Sequence, residues 1–369
     1  MKIIPNDLKR QYGLHAAEFE QKALEVLRGG WYVLGHEVSA FEEEFASFLG
    51  AKHCVGLASG LDALWISMRL LGVGAGDEVI ICANAYIACV MGITINGATP
   101  VFVEPDAYDN LDAAKIEAAI TPRTKAIMPV HLYGMSCDMR LVMALAHKHG
   151  LLVVEDCAQA HGTHCDGQTA GTFGQVGCFS FYPTKGLGAF GDAGCIITDD
   201  AALAERFRTY RNYGSRVRYQ NEVVGTNSRL DELQAGLLRV KLTHLEEANR
   251  ERCEIAERYL RELHNEDIAL PQIRPGTDST WHQFVVHAQH RDELMAYLKR
   301  FEIGSIIHYP IPPHLSQAYA YLGHHAGDFP IAERCAREVL SLPMYNGMTR
   351  DEQRFVIETI NAFTPRGME

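Results

Sequence analysis

Short apolar runs alternate with helical repeats along the first 230 residues of the chain. After a strand-like run at 52–59, apolar residues recur at helical spacing between Leu61 and Leu71. A second helical repeat, at 139–149, ends at Gly150, which is a good helix C-cap. Further strand-like runs lie at residues 78–82, 99–103, 126–130, 151–155 and 195–198. This alternation predicts a doubly wound α/β domain, and the continuous run at 151–155 is typical of a buried parallel strand.

The pattern changes near Leu230, where a long helical stretch rich in Glu and Arg begins and continues to about Leu263. A proline-containing break follows at 271–277. The remainder predicts two strands and two helices, at residues 283–287, 304–308, 291–301 and 332–340. We therefore predict an N-terminal arm and large α/β domain over residues 1–245, and a smaller α+β domain over residues 246–369.

Composition excludes several classes of protein. The formal net charge of −12 argues against a nucleic-acid-binding surface, which would need a basic face. The first residues lack the apolar core of a signal peptide, and the longest apolar run, 79–95, is too short to span a bilayer comfortably. The ten cysteines form no C-x-x-C pair, which is typical of free thiols in a reducing compartment. We expect a cytoplasmic protein with no membrane or nucleic-acid partner.

Two short motifs suggest a metal site and a dinucleotide-binding site, but neither has the required spacing or context. His161, His164 and Cys165 are close in sequence, but their spacing matches no standard zinc pattern, so we predict no metal site. Residues 186–191 match the spacing G-x-G-x-x-G. A dinucleotide-binding fingerprint should open a helix, whereas this turn leads into the strand-like run at 195–198, so it is a glycine-rich turn.

A single lysine lies between an aromatic strand and a glycine-rich turn in the segment FSFYPTKGLG, residues 179–188. Loss of water around the ammonium of Lys185 would lower its pKa, and the free amine is a nucleophile toward carbonyl groups. That chemistry is what a Schiff base with pyridoxal phosphate requires. Taken by itself, the segment also fits an ordinary solvated loop lysine.

The junction between the first strand and the first amphipathic helix is a candidate anion site. Ser59 precedes Gly60 and Leu61 at the start of that helix, where backbone N–H groups are free and the helix dipole favours negative charge. Gly60 would let a phosphate approach the backbone closely. The alternative is a plain N-cap by Ser59.

Two further residues lie where open α/β sheets bind ligands. Asp156 follows the buried strand at 151–155, and a protonated pyridine nitrogen could be its positive partner. Tyr86 follows the strand at 78–82, where its ring could stack on a planar cofactor. The alternatives are an aspartate satisfied by backbone donors and a tyrosine of the hydrophobic core.

Nine segments in this order resemble the sugar-nucleotide aminotransferases of the DegT/DnrJ/EryC1 family, and the likeness covers nearly the whole chain. The segments are GWYVLG at 30–35, SGLDAL at 59–64, AYIA at 85–88, VHLYG at 130–134, EDCAQAHG at 155–162, FSFYPTKGLG at 179–188, RNYGS at 211–215, NSRLDELQ at 227–234 and HYP at 308–310. The resemblance implies a fold-type I pyridoxal phosphate enzyme, with a large mostly parallel-sheet domain and a smaller C-terminal α+β domain.

The resemblance also implies roles for the residues around the cofactor ring. Lys185 would be the catalytic residue, forming the Schiff base and then moving the proton between cofactor and substrate carbons. Asp156 would pair with the pyridinium nitrogen, Gln159 would contact the phenolic oxygen, and Tyr86 would stack on the ring.

The phosphate of the cofactor would be held from two chains. In the family, the amides of Gly60 and Leu61 and the hydroxyl of Ser180 take this role in one subunit. Asn227 would reach the phosphate of the neighbouring subunit, which implies a homodimer with shared active sites. Leu61 stands where the family usually has threonine, so one hydroxyl contact would be lost. Gly186 and Thr226 replace the usual asparagine and aromatic residue.

The implied activity is transfer of an amino group, drawn from glutamate, through pyridoxamine phosphate to a keto sugar on a nucleotide. The closest likeness is to members that aminate C3 of a dTDP-3-keto-6-deoxyhexose, while amination at C4 remains an alternative. The expected substrate-binding residues are Tyr32, Tyr182, Arg229, His308, Tyr309 and His314. Related dehydratases carry histidine at the position of Lys185, and a non-enzymatic regulator would have no need of Lys185, Asp156 and Gln159 together.

Overall fold

A computed structural model describes residues 1–365 and shows a large α/β domain followed by a smaller α+β domain. The strands are β1 His53–Leu57, β2 Glu78–Cys82, β3 Thr99–Val103, β4 Thr124–Met128, β5 Leu152–Asp156, β6 His164–Cys165, β7 Gln168–Thr169, β8 Val176–Ser180, β9 Gly194–Thr198, β10 Ser215–Val217, β11 Gln220–Asn221, β12 Ile268–Ala269, β13 Phe284–Ala288 and β14 Val339–Leu342.

The helices surround the large sheet and one face of the small one. They are α1 Leu8–Leu14, α2 Ala16–Gly29, α3 His36–Leu49, α4 Gly60–Leu70, α5 Ile87–Thr94, α6 Ala113–Ala119, α7 Met139–His149, α8 Ala201–Tyr210, α9 Glu232–Thr243, α10 Leu245–Glu262, α11 Arg291–Arg300, α12 Pro330–Glu338 and α13 Arg350–Asn361. Among the helices of residues 1–365, none is both long and apolar enough to cross a bilayer.

The main sheet has seven strands in the order β1-β9-β8-β5-β4-β2-β3. Strands β8, β5, β4, β2 and β3 run parallel, whereas β9 runs antiparallel to both of its neighbours. The central strands are buried on both faces because helices cover the sheet, as is usual for parallel strands. The predicted fold class, a mostly parallel α/β domain with a smaller α+β domain, is confirmed.

The small domain has its own core around the antiparallel sheet β12-β13-β14. The N-terminal arm, which the sequence analysis assigns to the large domain, packs on the small one. Ile3 is buried in that core and pairs with Ile303, and Arg10 forms an ion pair with Glu352 of α13. The predicted domain boundary at residue 245 coincides with the start of α10. The last four residues of the predicted small domain, 366–369, lie outside the described range.

Two elements of the small domain differ from the predictions. The predicted strand at 304–308 makes only an isolated bridge, from Ile306 to Ser341 at the edge of β14, because Gly304 bonds to Ile3 of the N-terminal arm instead. The helix predicted at 332–340 ends at Glu338, and its last two residues belong to β14. The long helical stretch from Leu230 is divided at His244 into α9 and α10.

Candidate active site

A cavity of about 450 Å³ lies between the carboxyl edge of the main sheet and the small domain. Ten of the fourteen residues expected to bind cofactor or substrate line it, namely Gly60, Leu61, Tyr86, Asp156, Gln159, Ser180, Tyr182, Lys185, His308 and Tyr309. The carboxyl ends of parallel strands meet at this edge, which is why residues distant in sequence converge here.

The first turn of α4 forms one end of the cavity. The side chain of Ser59 caps the helix by accepting a hydrogen bond from the amide of Asp62, with 3.1 Å between the two atoms. The amides of Gly60 and Leu61 have no acceptor within the helix at this position, so they are available to an anion. A Cβ on Gly60 would lie 2.5 Å from Cβ of Ser180, so only glycine lets α4 approach the end of β8 this closely.

Asp156 is the last residue of β5 and is 4% exposed. Its Oδ1 accepts a hydrogen bond from the amide of Ala158 at 3.0 Å, and its Oδ2 accepts one from the thiol of Cys89 at 2.9 Å. Both neighbours are donors to the carboxylate, and together they fix its orientation toward the cavity. Cys89 lies in α5, and the sequence analysis did not identify it.

Lys185 lies in the turn after β8, and its amide donates to the carbonyl of Tyr182 at 2.8 Å. Its ammonium makes no hydrogen bond within residues 1–365. Burial lowers the pKa of Lys185 below the usual lysine value, and the charge of Asp156 partly opposes that shift. The result is an amine that loses its proton more readily than an exposed lysine and faces the cavity.

The side chains of Gln159 and two tyrosines form another part of the cavity wall. Oε1 of Gln159 accepts from the amide of Tyr133 at 2.6 Å, and Nε2 donates to the hydroxyl of Tyr309 at 3.1 Å. The rings of Tyr86 and Tyr309 pack against each other with centroids 4.8 Å apart. Tyr86 is 45% exposed, so one part of its ring remains open to the cavity.

The small domain contributes a wall that sequence reasoning found only in part. Nε2 of Gln283 lies 3.1 Å from Nε2 of His308, and Nδ1 of His308 lies 2.7 Å from the hydroxyl of Ser341. Burial and the charge of Lys185 lower the pKa of His308 to about 4, and they also lower the pKa of His282. His282 Nδ1 and Gln283 Oε1 are buried and have no hydrogen-bond partner, so polar atoms are available to a ligand.

Four of the fourteen residues expected to bind cofactor or substrate do not line this cavity. Tyr32 is half exposed and donates to the carbonyl of Leu27. Arg229 donates to Asn212, and its guanidinium lies over the ring of Tyr213. These contacts leave their roles in substrate binding as predictions.

The other two of these four residues differ sharply in exposure. Asn227 is exposed on the surface, and its side chain makes no hydrogen bond within the described residues. His314 is buried, and its Nε2 lies 3.3 Å from Glu333 in an aromatic cluster with Phe102 and Phe329. Asn227 is therefore accessible to another chain, whereas His314 is enclosed within its own.

The cavity suits pyridoxal phosphate in size, charge and donor set. Its volume lies in the range of small-molecule sites, and the free amides of α4 provide a place for the phosphate. A carboxylate, a readily deprotonated amine and exposed aromatic surface then line the space beyond. The tight packing of Gly60 on Ser180 leaves the first turn of α4 open to an anion rather than to a side chain.

Comparison with known proteins agrees with this site. The model of the DegT/DnrJ/EryC1/StrS aminotransferase family matches residues 14–361. A dTDP-3-amino-3,6-dideoxy-α-D-galactopyranose transaminase of Aneurinibacillus thermoaerophilus is 49% identical over 97% of this chain and 98% of its own length.

Two solved structures share the fold over almost the whole chain. The crystal structure of DesV from S. venezuelae, in complex with a ketimine intermediate, is 46% identical, covers 98% of both chains and has a TM-score of 0.96. NtdA from Bacillus subtilis, with bound pyridoxamine phosphate as cofactor, is 30% identical, covers 94% of this chain and 81% of its own, and has a TM-score of 0.87.

Proposed function

The chain belongs to the DegT/DnrJ/EryC1/StrS aminotransferase family, and on that basis we propose that it aminates C3 of a keto sugar linked to dTDP. It is a pyridoxal phosphate-dependent aminotransferase. The observation that carries the substrate proposal is the 49% identity to a dTDP-3-amino-sugar transaminase over nearly the full length of both chains. The cavity with Lys185 and Asp156 provides the matching chemistry.

The cofactor would be held by residues from several strand ends. The amides of Gly60 and Leu61 and the hydroxyl of Ser180 would bind its phosphate, and Asp156 would meet its ring nitrogen. The amine of Lys185 would hold it covalently. When bound, pyridoxal phosphate supplies an electron sink that stabilises negative charge on the neighbouring carbon.

The work left to the protein is to orient the substrate and to move one proton. Lys185 would carry that proton, because burial lowers its pKa toward the working range of a general base. Gln159 and Tyr309 would help to position the cofactor, and the hydrogen bond between them fixes both side chains in the cavity wall. The wall of His308 and Gln283 would contact the sugar, because both residues line the cavity that Lys185 faces and come from the small domain.

We propose that the active form is a homodimer and that the amino donor is glutamate. Large apolar side chains are exposed on two segments of the surface, with Trp31 67% and Tyr219 83% exposed. Exposed apolar surface of this kind is typical of an interface. Asn227 is also exposed, which supports its proposed contact with the phosphate in the partner subunit. We propose a cytoplasmic location, where nucleotide sugars and glutamate are both available.

An assay with a panel of nucleotide-linked sugars tests the substrate proposal. The purified enzyme, loaded with cofactor and supplied with glutamate, is mixed with 3-keto and 4-keto hexoses on dTDP and on UDP. We expect the highest kcat/KM with a dTDP-linked 3-keto-6-deoxyhexose, and NMR of the product should place the new amine on C3. A higher kcat/KM with any 4-keto sugar, or an amine on C4, would overturn the proposal. The Lys185→Ala protein is the control for uncatalysed exchange.

A further inference from the structure

A second cavity, of about 430 Å³, lies at the junction of the two domains, behind the wall of the cofactor site. Four side chains with metal-binding atoms meet at its surface, and we name them the junction cluster: Asp109, His287, Cys335 and Glu338. The binding atoms of Asp109, His287 and Cys335 all lie within 4.8 Å of one another. None of the four contributes to the proposed aminotransferase reaction.

The junction cluster is assembled from three separate parts of the chain. Asp109 lies in the tight turn after β3, where its backbone has a φ of 60° and its carbonyl accepts from the side chain of Asn84. His287 comes from β13. Cys335 and Glu338 are three residues apart on α12, so they lie on the same face of that helix.

Of the two short distances within the junction cluster, one falls in the range found around a four-coordinate ion and the other is shorter. Nε2 of His287 lies 2.9 Å from Oδ2 of Asp109, and Sγ of Cys335 lies 3.4 Å from Oδ1 of the same carboxylate. Around tetrahedral zinc, the bond lengths to sulfur, nitrogen and oxygen place neighbouring ligand atoms roughly 3.3 to 3.6 Å apart. Glu338 lies beside the other nitrogen of the His287 ring, with Oε2 3.8 Å from Nδ1, so it would hold the ring in place rather than bind the same ion.

We propose that the junction cluster binds a divalent transition metal ion of the zinc type. One thiolate, one imidazole and one carboxylate are all donor types that zinc binds, and the adjoining cavity leaves room for a water as the fourth ligand. Calcium and magnesium are poor candidates, because they take oxygen ligands almost exclusively.

The proposed ion would have a structural role. Asp109 belongs to the large domain, whereas His287 and Cys335 belong to the small domain, so the ion would tie the two together. The second cavity shares Leu132 and Gln283 with the cofactor cavity. Metal binding would therefore stabilise the back of the wall that carries Gln283 and His308, without contacting the cofactor.

The alternative is a metal-free cluster that is held together by hydrogen bonds. In that case His287 Nε2 and Cys335 Sγ both donate to Asp109, as their distances also allow. Arg334 lies 3.9 Å from Glu338 and would then neutralise part of the acidic charge. The two possibilities differ in one observable property, which is whether the sulfur of Cys335 forms a bond to an added metal ion.

A titration with Co²⁺ distinguishes the metal site from the hydrogen-bonded cluster. The cofactor-loaded enzyme is first dialysed against a chelator and is then titrated. We expect visible absorption typical of four-coordinate cobalt, together with a near-ultraviolet thiolate-to-cobalt band, both saturating at about one ion per chain. Zinc should displace the cobalt and remove both bands. Difference spectra against the same enzyme without cobalt remove the absorption of the cofactor.

Three variants complete the test. Cys335→Ser should lose the thiolate band and bind cobalt at least ~10-fold more weakly, and Asp109→Asn should also weaken binding. Cys253→Ser is the matched control, because Cys253 is the one cysteine that is not fully buried, and it should behave as wild type. Retained aminotransferase activity shows that each variant has folded. Wild-type enzyme that shows no saturable cobalt band, or a thiolate band that persists in Cys335→Ser, would overturn the proposal.

Discussion

The thiol of Cys89 donates a hydrogen bond to the carboxylate of Asp156, with 2.9 Å between Sγ and Oδ2. Burial raises the pKa of the Cys89 thiol well above its usual value, and the charge of Asp156 raises it further. The thiol therefore keeps its proton and remains a donor at neutral pH. Cys89 thus supports Asp156, the residue proposed to meet the cofactor nitrogen.

Two substitutions of Cys89 distinguish the effect of its hydrogen bond from the effect of its size. Cys89→Ala removes the hydrogen bond to a charged group, and we expect kcat to fall by about 10-fold. Cys89→Ser keeps a donor and should stay close to wild type. Titration of the absorbance of the bound cofactor with pH should show a shift in Cys89→Ala only. Equal behaviour of the two variants would mean that the hydrogen bond does not influence Asp156.

Asp156→Ala should keep the fold and lose at least ~100-fold in kcat, which is typical of removing one preorganised electrostatic partner. The ring nitrogen would no longer have a negative partner, so its protonated form would be less favoured. Asp156→Asn, with the same shape and no charge, should lose nearly as much. Circular dichroism checks the fold, and kinetics with glutamate measure the loss. Activity within a few-fold of wild type would show that Asp156 is only structural.

Lys185 should react with carbonyl compounds at lower pH than an ordinary lysine. Its pKa is lowered, so the neutral amine becomes the main form as pH rises through a value below the usual ~10.4. Capture of pyridoxal phosphate by the apoprotein, followed by absorbance, should have its midpoint below that value. Borohydride should then fix the cofactor to Lys185, as peptide mass spectrometry would show. Lys185→Ala should have no measurable turnover.

Lys241 provides the matched control for this experiment. Burial also lowers the pKa of Lys241, to about 8, and its ammonium lies over the ring of Phe190 outside the cofactor cavity. A lowered pKa is therefore not specific to Lys185. Lys241→Ala should keep the activity and the borohydride label of wild type. Labelling of Lys241 in place of Lys185 would contradict the assignment of the catalytic lysine.

The ion pair between Glu42 and Arg211 should be important for stability. Both side chains are largely buried, and Glu42 also accepts from the amide of Gly56 at 2.7 Å. Glu42→Ala leaves a buried guanidinium without its partner, which costs about 3–5 kcal/mol in the free energy of unfolding. Urea unfolding of wild type and Glu42→Ala at the same protein concentration measures this loss in the free energy of unfolding. Removal of the exposed partner Glu222 from Arg216 should have a much smaller effect.

The parallel strands of the fold were predictable from sequence because burial on both faces leaves a clear apolar run. The runs at 78–82 and 99–103 and the helix at 139–149 match the structure residue for residue. The predicted strand at 304–308 failed because pairing partners decide such a segment: Gly304 bonds to Ile3 of the N-terminal arm, and Ile306 alone pairs with β14. Local apolar content does not contain that information.

The site residues that follow strands were predictable because the strands themselves are recognisable from their apolar runs. Asp156 and Lys185 follow recognisable strands, and the resemblance to a known family added Gln159. Cys89 was missed because it lies within the apolar run 79–95, where a cysteine is expected to be a core residue. His282 and Gln283 were missed because they reach the cavity only when the small domain packs against the large one.

The proposed contribution of Asn227 to a neighbouring active site depends on how its segment is held. The next residue, Ser228, is buried, donates to Asp62 Oδ2 at 2.7 Å and accepts from the amide of Ala58 at 3.2 Å. These contacts fix the segment beside the first turn of α4, while the side chain of Asn227 remains exposed. A rigid, exposed amide is well suited to reach a phosphate in a second chain.

Mixing two inactive proteins tests this arrangement. In a dimer of Lys185→Ala with an Asn227→Asp chain, one site would carry both changes and the other neither. The added carboxylate should repel the phosphate, so each homodimer should be inactive or nearly so. If sites are shared, the mixed dimer regains one intact site and up to half of the wild-type activity per dimer. Tagged chains purified in sequence show that heterodimers are present. Heterodimers without recovered activity would mean that Asn227 acts within its own chain, and the shared-site proposal would be wrong.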